Sequence, residues 1–301
     1  MQAYLIDSSI YIFRSYFTLP DNWKSVDLGF STHAVYGFTA FLLDLLRQKD
    51  PAYLFCAFDE SLGSGFRHKL CPDYKANREL PDEGLAFQLN ACRQLCRVLG
   101  VSEMASEIYE ADDLIGAVAE NTRSANAQPV VVTRDKDLTQ IIHPGDLFWD
   151  FGNAPPKSQR QVEKDLELGC QQMADFLALT GDSSDNIVGV PGVGAKTAKQ
   201  LLMHYPDIDA ILDHLDQLQD LPIRGAAKLA DKLANHREQL LLARQLTTIV
   251  SDIDGAPGLS QIGWQGIYLD AFDLFCDEMG FGNSFSERAR QLRARDITVS
   301  W

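Results

Sequence analysis

The sequence predicts an α/β protein: a mostly parallel central sheet flanked by helices, joined to a mainly helical part. Three observations predict it. Short apolar runs of strand length alternate with helical patterns through the first half, which is how a parallel sheet covered on both faces reads. The runs tend to stop at aspartates, at Asp7, Asp59 and, after a two-residue step, Asp135. From about Gln159 onward the pattern turns helical. With 301 residues, 46% of them hydrophobic, the chain can build one large core, or a core with a smaller satellite.

The elements follow in order. Ala3 to Ile6 is a strand that ends at Asp7. Ser8 and Ser9 can cap the next helix, which carries Ile10, Ile12, Phe13 and Arg14. Val35 to Leu46 has Phe38, Phe41, Leu42 and Leu45 at helical spacing. Tyr53 to Phe58 is a buried-strand run, and a polar, basic, Gly-containing stretch from Glu60 to Glu83 follows it. A helix spans about Leu85 to Leu99, and another runs from the Glu110–Asp113 cluster to about Arg123. Pro129 to Thr133 is a third strand, ahead of Asp135 and Asp137, and Leu147 to Trp149 a fourth. The change of architecture near residue 160 divides an α/β part, 1–160, from a helical part, 161–301, within one compact body.

Composition excludes some classes. No apolar run is long enough to span a membrane, and the N-terminus lacks the pattern of a secretory signal. The six cysteines show no metal-finger spacing, and Cys92 and Cys96, one helical turn apart, read as packed thiols. A reducing, cytoplasmic setting is expected. A net charge of −15 argues against nucleic-acid binding, but only in part. Acids gathered round divalent metals are neutralised locally, and a binder needs basic patches rather than a basic average.

Three constellations carry chemistry. The acids come first: Glu110, Asp112 and Asp113 crowd one helix entrance, and Asp7, Asp59, Asp135 and Asp137 lie beyond strand ends, where the crevice of such a sheet opens. Capping explains one acid at a helix start; three close like charges repel unless a cation sits between them. Asp182 and Asp185 add to the set. Hard oxygens without paired His or Cys suit Mg²⁺ or Mn²⁺. A site for two such ions suits phosphodiester hydrolysis, one ion activating water and the other stabilising the leaving oxygen.

The second is Gly189-Val190-Pro191-Gly192-Val193-Gly194-Ala195-Lys196-Thr197. Its glycines and the helix start at Ala195 form an anion site of the helix–hairpin–helix type, over about 182–203. A dinucleotide loop and a purely structural turn compete with that reading. Third, Phe66-Arg67 through Tyr74-Lys75 to Arg78 interleaves basic and aromatic residues, as single-strand binders do; a solvated loop explains it equally well. The run Arg224, Lys228, Lys232 and Arg237 reads at least as readily as a solvated helix face.

Taken together, Leu5-Ile6-Asp7, Phe58-Asp59, Phe66-Arg67, Tyr74 to Arg78, Glu110 to Asp113, Asp135-Lys136-Asp137, Gly181 to Ile187 and the Gly189–Thr197 hairpin resemble the 5′ nuclease (flap endonuclease) family. The likeness is greatest to the amino-terminal exonuclease domain of bacterial DNA polymerase I. The resemblance implies a PIN-like 5′ nuclease fold with a helical arch at about 60–85. It implies that Asp7, Asp59, Glu110, Asp112, Asp113, Asp135, Asp137, Asp182 and Asp185 hold two or more Mg²⁺ or Mn²⁺ ions. Lys75 and Arg78, on the arch, would meet the scissile phosphate, Tyr74 would stack on a base and Arg14 would contact phosphate. Gly189, Val190, Gly192, Val193 and Gly194 would grip the duplex strand, with a potassium ion on backbone carbonyls. The expectation is a free-standing, monomeric 5′ nuclease for DNA with a 5′ flap, overhang, nick or gap, away from membranes. The rival is a structure-selective DNA-binding protein that no longer cuts; the retained acids argue against it, because binding alone gains nothing from charges that repel phosphate. After Gly280, Arg288, Arg290, Arg293 and Arg295 suggest a final basic helix against the core or DNA.

Overall fold

The structure is a computed structural model that describes residues 1–60, 63–223 and 225–292. Its centre is a six-stranded sheet in the order β3-β2-β1-β4-β5-β6. The strands are β1 (Gln2–Asp7), β2 (Tyr53–Asp59), β3 (Ser102–Ser106), β4 (Gln128–Val132), β5 (Leu147–Trp149) and β6 (Lys157–Ser158). All neighbours pair in parallel except β5 and β6. Helices α1 (Ser8–Thr18), α2 (His33–Lys49), α3 (Phe66–Leu70), α4 (Glu83–Val98), α5 (Ala111–Ser124) and α6 (Gln159–Leu166) connect or cover these strands. The helical part holds α7 (Met173–Thr180), α8 (Ala195–His204), α9 (Ile208–Asp213), α10 (Leu229–Asn235) and α11 (Arg237–Thr247). The chain then returns to the sheet through α12 (Leu269–Glu278) and α13 (Ser284–Arg290).

Alternation along β1 shows why the sheet is buried on both faces. Tyr4 and Ile6 point into one core, with Phe38 and Leu42 of α2. Ala3 and Leu5 point into the other, with Leu114, Ile115 and Val118 of α5. A third core, in the helical part, runs from Leu168 to Leu246 and includes Tyr74 from the first half of the chain.

Several expectations are corrected. Strand β3 was missed because Ser102-Glu103-Met104-Ala105-Ser106 is a half-buried edge strand with no apolar run. Ser8 and Ser9 do not cap α1 but form its first turn, and Ser9 Oγ donates to Asp59 Oδ2 at 2.8 Å. In the stretch at about 60–85 where the helical arch is expected, the described residues form the five-residue α3, turns over 72–77 and the start of α4 at Glu83. Lys75 there takes the left-handed conformation, φ 53°, which a continuous right-handed helix does not allow. The final basic helix rests on the core. Phe285 and Ala289 of α13 are buried, Arg288 pairs with Asp44 at 3.0 Å and Arg290 pairs with Asp273. Arg224, Arg293 and Arg295 lie outside the described residues.

Candidate active site

The parallel strands deliver their aspartates to one edge of the sheet. Asp7, the last residue of β1, is buried and accepts Thr133 Oγ1 at 2.8 Å. Asp59, the last residue of β2, accepts the Ala111 amide at 2.8 Å, which ties the strand end to the start of α5. Thr133 Oγ1 also accepts the Asp135 amide, 2.9 Å, and Asp135 accepts the Asp137 amide, 2.9 Å. One small cleft is lined by Glu110, Asp112, Asp137, Asp182 and Asp185, together with Arg67 and Tyr74.

Charge couples these acids. Burial, followed by repulsion from Asp59 and Asp135, pushes Asp7 up to about 7. Burial and then Asp135, Asp182 and Asp185 do the same to Asp137, again to about 7. Asp112 is driven well above the usual carboxylate range by burial and by Asp7, Asp135 and Asp59. Asp135 is raised by burial, with Asp185 and Asp182 adding to it. The strand ends and the loop after α7 therefore face one another across the cleft. Buried Oδ1 of Asp137 has no hydrogen-bond partner, an orphaned acceptor of the kind that a cation satisfies. As the side chains stand among the described residues, no three His, Cys, Asp or Glu converge to hold an ion. Their hydrogen bonds give the reason, since Glu110 and Asp185 are turned toward basic side chains and Asp59 and Asp135 toward backbone amides. The donor set still fits a hard divalent cation, being all oxygen and mutually repulsive.

Asp113 is not part of that set. It is fully buried, and Arg67 engages both its oxygens, at 2.6 and 2.8 Å. The same oxygens accept the Glu110 amide at 3.0 Å and the Val250 amide at 2.8 Å. With every direction occupied, Asp113 caps α5 and locks the cleft wall, while its neighbour Asp112 faces the acids. Of two adjacent acids, one caps the helix and the other faces the cleft. Arg67, read from the sequence as part of a basic loop, is buried and also donates to the Leu246 and Thr248 carbonyls, both at 2.8 Å.

Tyr74, expected to stack on a base, is turned inward here. It is 2% exposed, so its ring offers no surface for stacking; its hydroxyl donates to Glu110 at 3.0 Å and Asp185 at 3.1 Å. Burial and those carboxylates raise its pKa. Lys75 Nζ sits 2.6 Å from Glu110 and 3.6 Å from Asp185, and Arg78 pairs with Asp185 at 2.5 Å. Burial pushes Glu110 up, but Lys75 and Arg67 outweigh it and hold the carboxyl below its ordinary value. Burial likewise pushes Lys75 down and is overcome by Glu110, Asp185 and Asp59, so the ammonium is held charged. Arg14 lies over the Tyr11 ring, 4.8 Å from its centroid, on the first helix after Asp7.

The hairpin follows helix α7 through the loop 181–188, which holds only the isolated bridge Asp182–Ile187, so the strand that the dinucleotide reading requires there is not present. The Val190 amide donates to Leu179 at 3.0 Å and the Val193 amide to Val190 at 2.9 Å. Each glycine has its own reason. A Cβ on Gly189 would fall 2.2 Å from the Gly181 amide nitrogen, so that position serves close packing of the chain on itself. Gly192 has φ 78°, and a Cβ on Gly194 would meet nothing within 4 Å, leaving an open face at the start of α8. Gln239 on α11 was not found from the sequence. Its Nε2 donates to the Val188 and Gly189 carbonyls at 3.0 and 2.9 Å and fixes the hairpin to the helical part. Of the basic run beyond the hairpin, Lys232 is the residue set against it, since a Cβ on Gly192 would fall 2.6 Å from Lys232 Nζ; Lys228 and Arg237 are exposed.

The N-terminal resolvase-like domain model of 5′–3′ exonucleases matches residues 2–166. The chain belongs to the 5′–3′ exonuclease family. The C-terminal SAM fold of that family matches residues 168–269 of this exonuclease-family chain. Among relatives, the 5′–3′ exonuclease of Buchnera aphidicola subsp. Schizaphis graminum is 30% identical, covering 83% of this chain and 86% of that protein. DNA polymerase I of Bacillus caldotenax is 33% identical over 94% of this chain, which spans only 32% of the polymerase. Similar solved structures include T5 5′-exonuclease with divalent zinc bound, TM-score 0.66 at 16% identity over 97% of this chain and 99% of that one. The catalytic core of Rad2 in complex with a DNA substrate gives 0.64 at 15% identity, over 98% and 92%. The fold is thus that of the 5′ nucleases. Among the described residues, no helix is long and apolar enough to cross a membrane.

Proposed function

We propose that this chain is a divalent-metal-dependent 5′ nuclease that hydrolyses DNA at 5′ ends and 5′ flaps, in replication and repair. The observation that carries the reading is that Asp7, Asp112, Asp135 and Asp137, from three different parts of the chain, lie close enough to oppose one another's ionisation. Such a cluster is costly unless cations occupy it. Asp7, Asp59, Asp112, Asp135, Asp137, Asp182 and Asp185, with Glu110, would hold two or more Mg²⁺ or Mn²⁺ ions. When bound, those ions supply activation of water and neutralisation of the leaving oxygen. Lys75, Arg78 and Arg14 bring positive charge to the phosphate backbone beside them. The hairpin of Gly189, Val190, Gly192, Val193 and Gly194 binds the duplex strand through its amides, with a potassium ion on its carbonyls. The chain acts as a monomer, and six free thiols suit a reducing cytoplasm.

A labelled duplex with a 5′ flap tests the reading. The expected result is release of flap products with Mg²⁺ and none after chelation. Binding of the flap duplex without cleavage at any divalent-ion concentration would favour the non-cutting rival.

A further inference from the structure

We propose that the turn segment Asp73–Arg78 is a latch that competes with divalent ions for Glu110 and Asp185, so that metal loading opens it and releases Lys75 and Arg78 toward a phosphate. The inference rests on reading the acid cluster as a metal site. Its geometric basis is the number of bonds that this short segment makes to so few partners. Lys75 Nζ holds Glu110 and Arg78 holds Asp185, and the Tyr74 hydroxyl donates to both acids. The backbone joins in. The Lys75 amide donates to the Asp185 carbonyl at 2.9 Å, Asn77 Nδ2 to the Ser183 carbonyl at 3.0 Å and Asn186 Nδ2 to the Asp73 carbonyl at 2.7 Å.

Two features make this arrangement exchangeable. First, Lys75 adopts φ 53°, a left-handed conformation that disfavours a side chain with a Cβ, so the closed segment carries backbone strain that opening relieves. Second, an ammonium and a hard divalent ion are alternative partners for one carboxylate, because two cations a few ångströms apart on a partly buried acid repel each other strongly. A small ion approaches carboxylate oxygens more closely than an ammonium does and carries twice its charge. Loading therefore weakens the grip of Lys75 and Arg78 as it satisfies the acids. The cationic side chains needed against DNA are withheld until the ions are in place.

The chain carries its own probe. Cys71 stands two residues before the latch, and it alone among the six free cysteines is not buried. The experiment follows the rate at which a maleimide labels Cys71 in the intact protein during a Mg²⁺ titration, with ion binding measured separately by calorimetry. Cys71→Ser identifies the phase that belongs to this thiol. The expected result is a rise of roughly tenfold in labelling rate, following the binding curve, as the open population grows. Lys75→Gln should label fast without metal and lose the metal response. Asn77→Ala, which touches no carboxylate, should give an intermediate rate and keep that response. Binding of Mg²⁺ with an unchanged or slower rate overturns the latch and leaves the metal site standing. Absence of ion binding overturns the metal-site reading and the latch with it.

Discussion

Asp112→Asn is expected to lower the rate of flap cleavage about a thousandfold, equivalent to about 4 kcal/mol of transition-state stabilisation, while duplex affinity changes little. Asp112 is in the first turn of α5, among Asp7, Asp59 and Asp135, whose charges and its own burial oppose its ionisation. Asparagine keeps the shape and removes the negative charge. The loss should come from the ions, whose charge stabilisation is worth several kcal/mol, because the hairpin and the basic side chains are untouched. A second readout separates this from a structural defect. Without divalent ions the variant should unfold at the same midpoint as the parent or higher, since one repulsive carboxylate is gone. Single-turnover cleavage at the parent rate would remove Asp112 from the site.

The second large effect is on stability. Arg67→Met should destabilise the fold by about 3–5 kcal/mol, because it leaves Asp113 buried and without its counter-charge. That is a large share of the 5–15 kcal/mol typical of a folded domain. Arg67 also spans three parts of the molecule, binding Asp113 on α5 and the Leu246 and Thr248 carbonyls at the end of α11. Replacing both partners, as Arg67→Met with Asp113→Leu, should recover part of the loss, because no lone charge then remains buried. Urea unfolding measures both. A loss below about 1 kcal/mol for the single variant, a value typical of exposed pairs, would show that Arg67 is not the buried tie described above.

Much of this was legible in the sequence, for physical reasons. A buried parallel strand is a continuous apolar run, so β1, β2 and β4 were visible, and each led to the aspartates that follow it. Helix α7, the hairpin and the start of α8 were legible because glycine and proline fix backbone geometry locally. Edge strand β3 was not, since its residues are half-buried and carry no run. Tertiary partners were also hidden. The capping-box position three residues after Glu110 is the one local sign that sets Asp113 apart from Asp112; that Arg67 takes up Asp113 while α5 turns Asp112 toward the acids is not local. Nothing near Tyr74 says that its ring enters the core of the helical part. Gln239 is an ordinary glutamine of an amphipathic helix until the fold sets it against two hairpin carbonyls.

Anomalous diffraction from crystals soaked in Mn²⁺ tests the central claim most directly. The account predicts manganese peaks in the cleft, one among Asp7, Asp112 and Asp135 and a second toward Asp137, Asp182 and Asp185. Peaks confined to the outer surface, with these carboxylates still turned away from any ion, would contradict it.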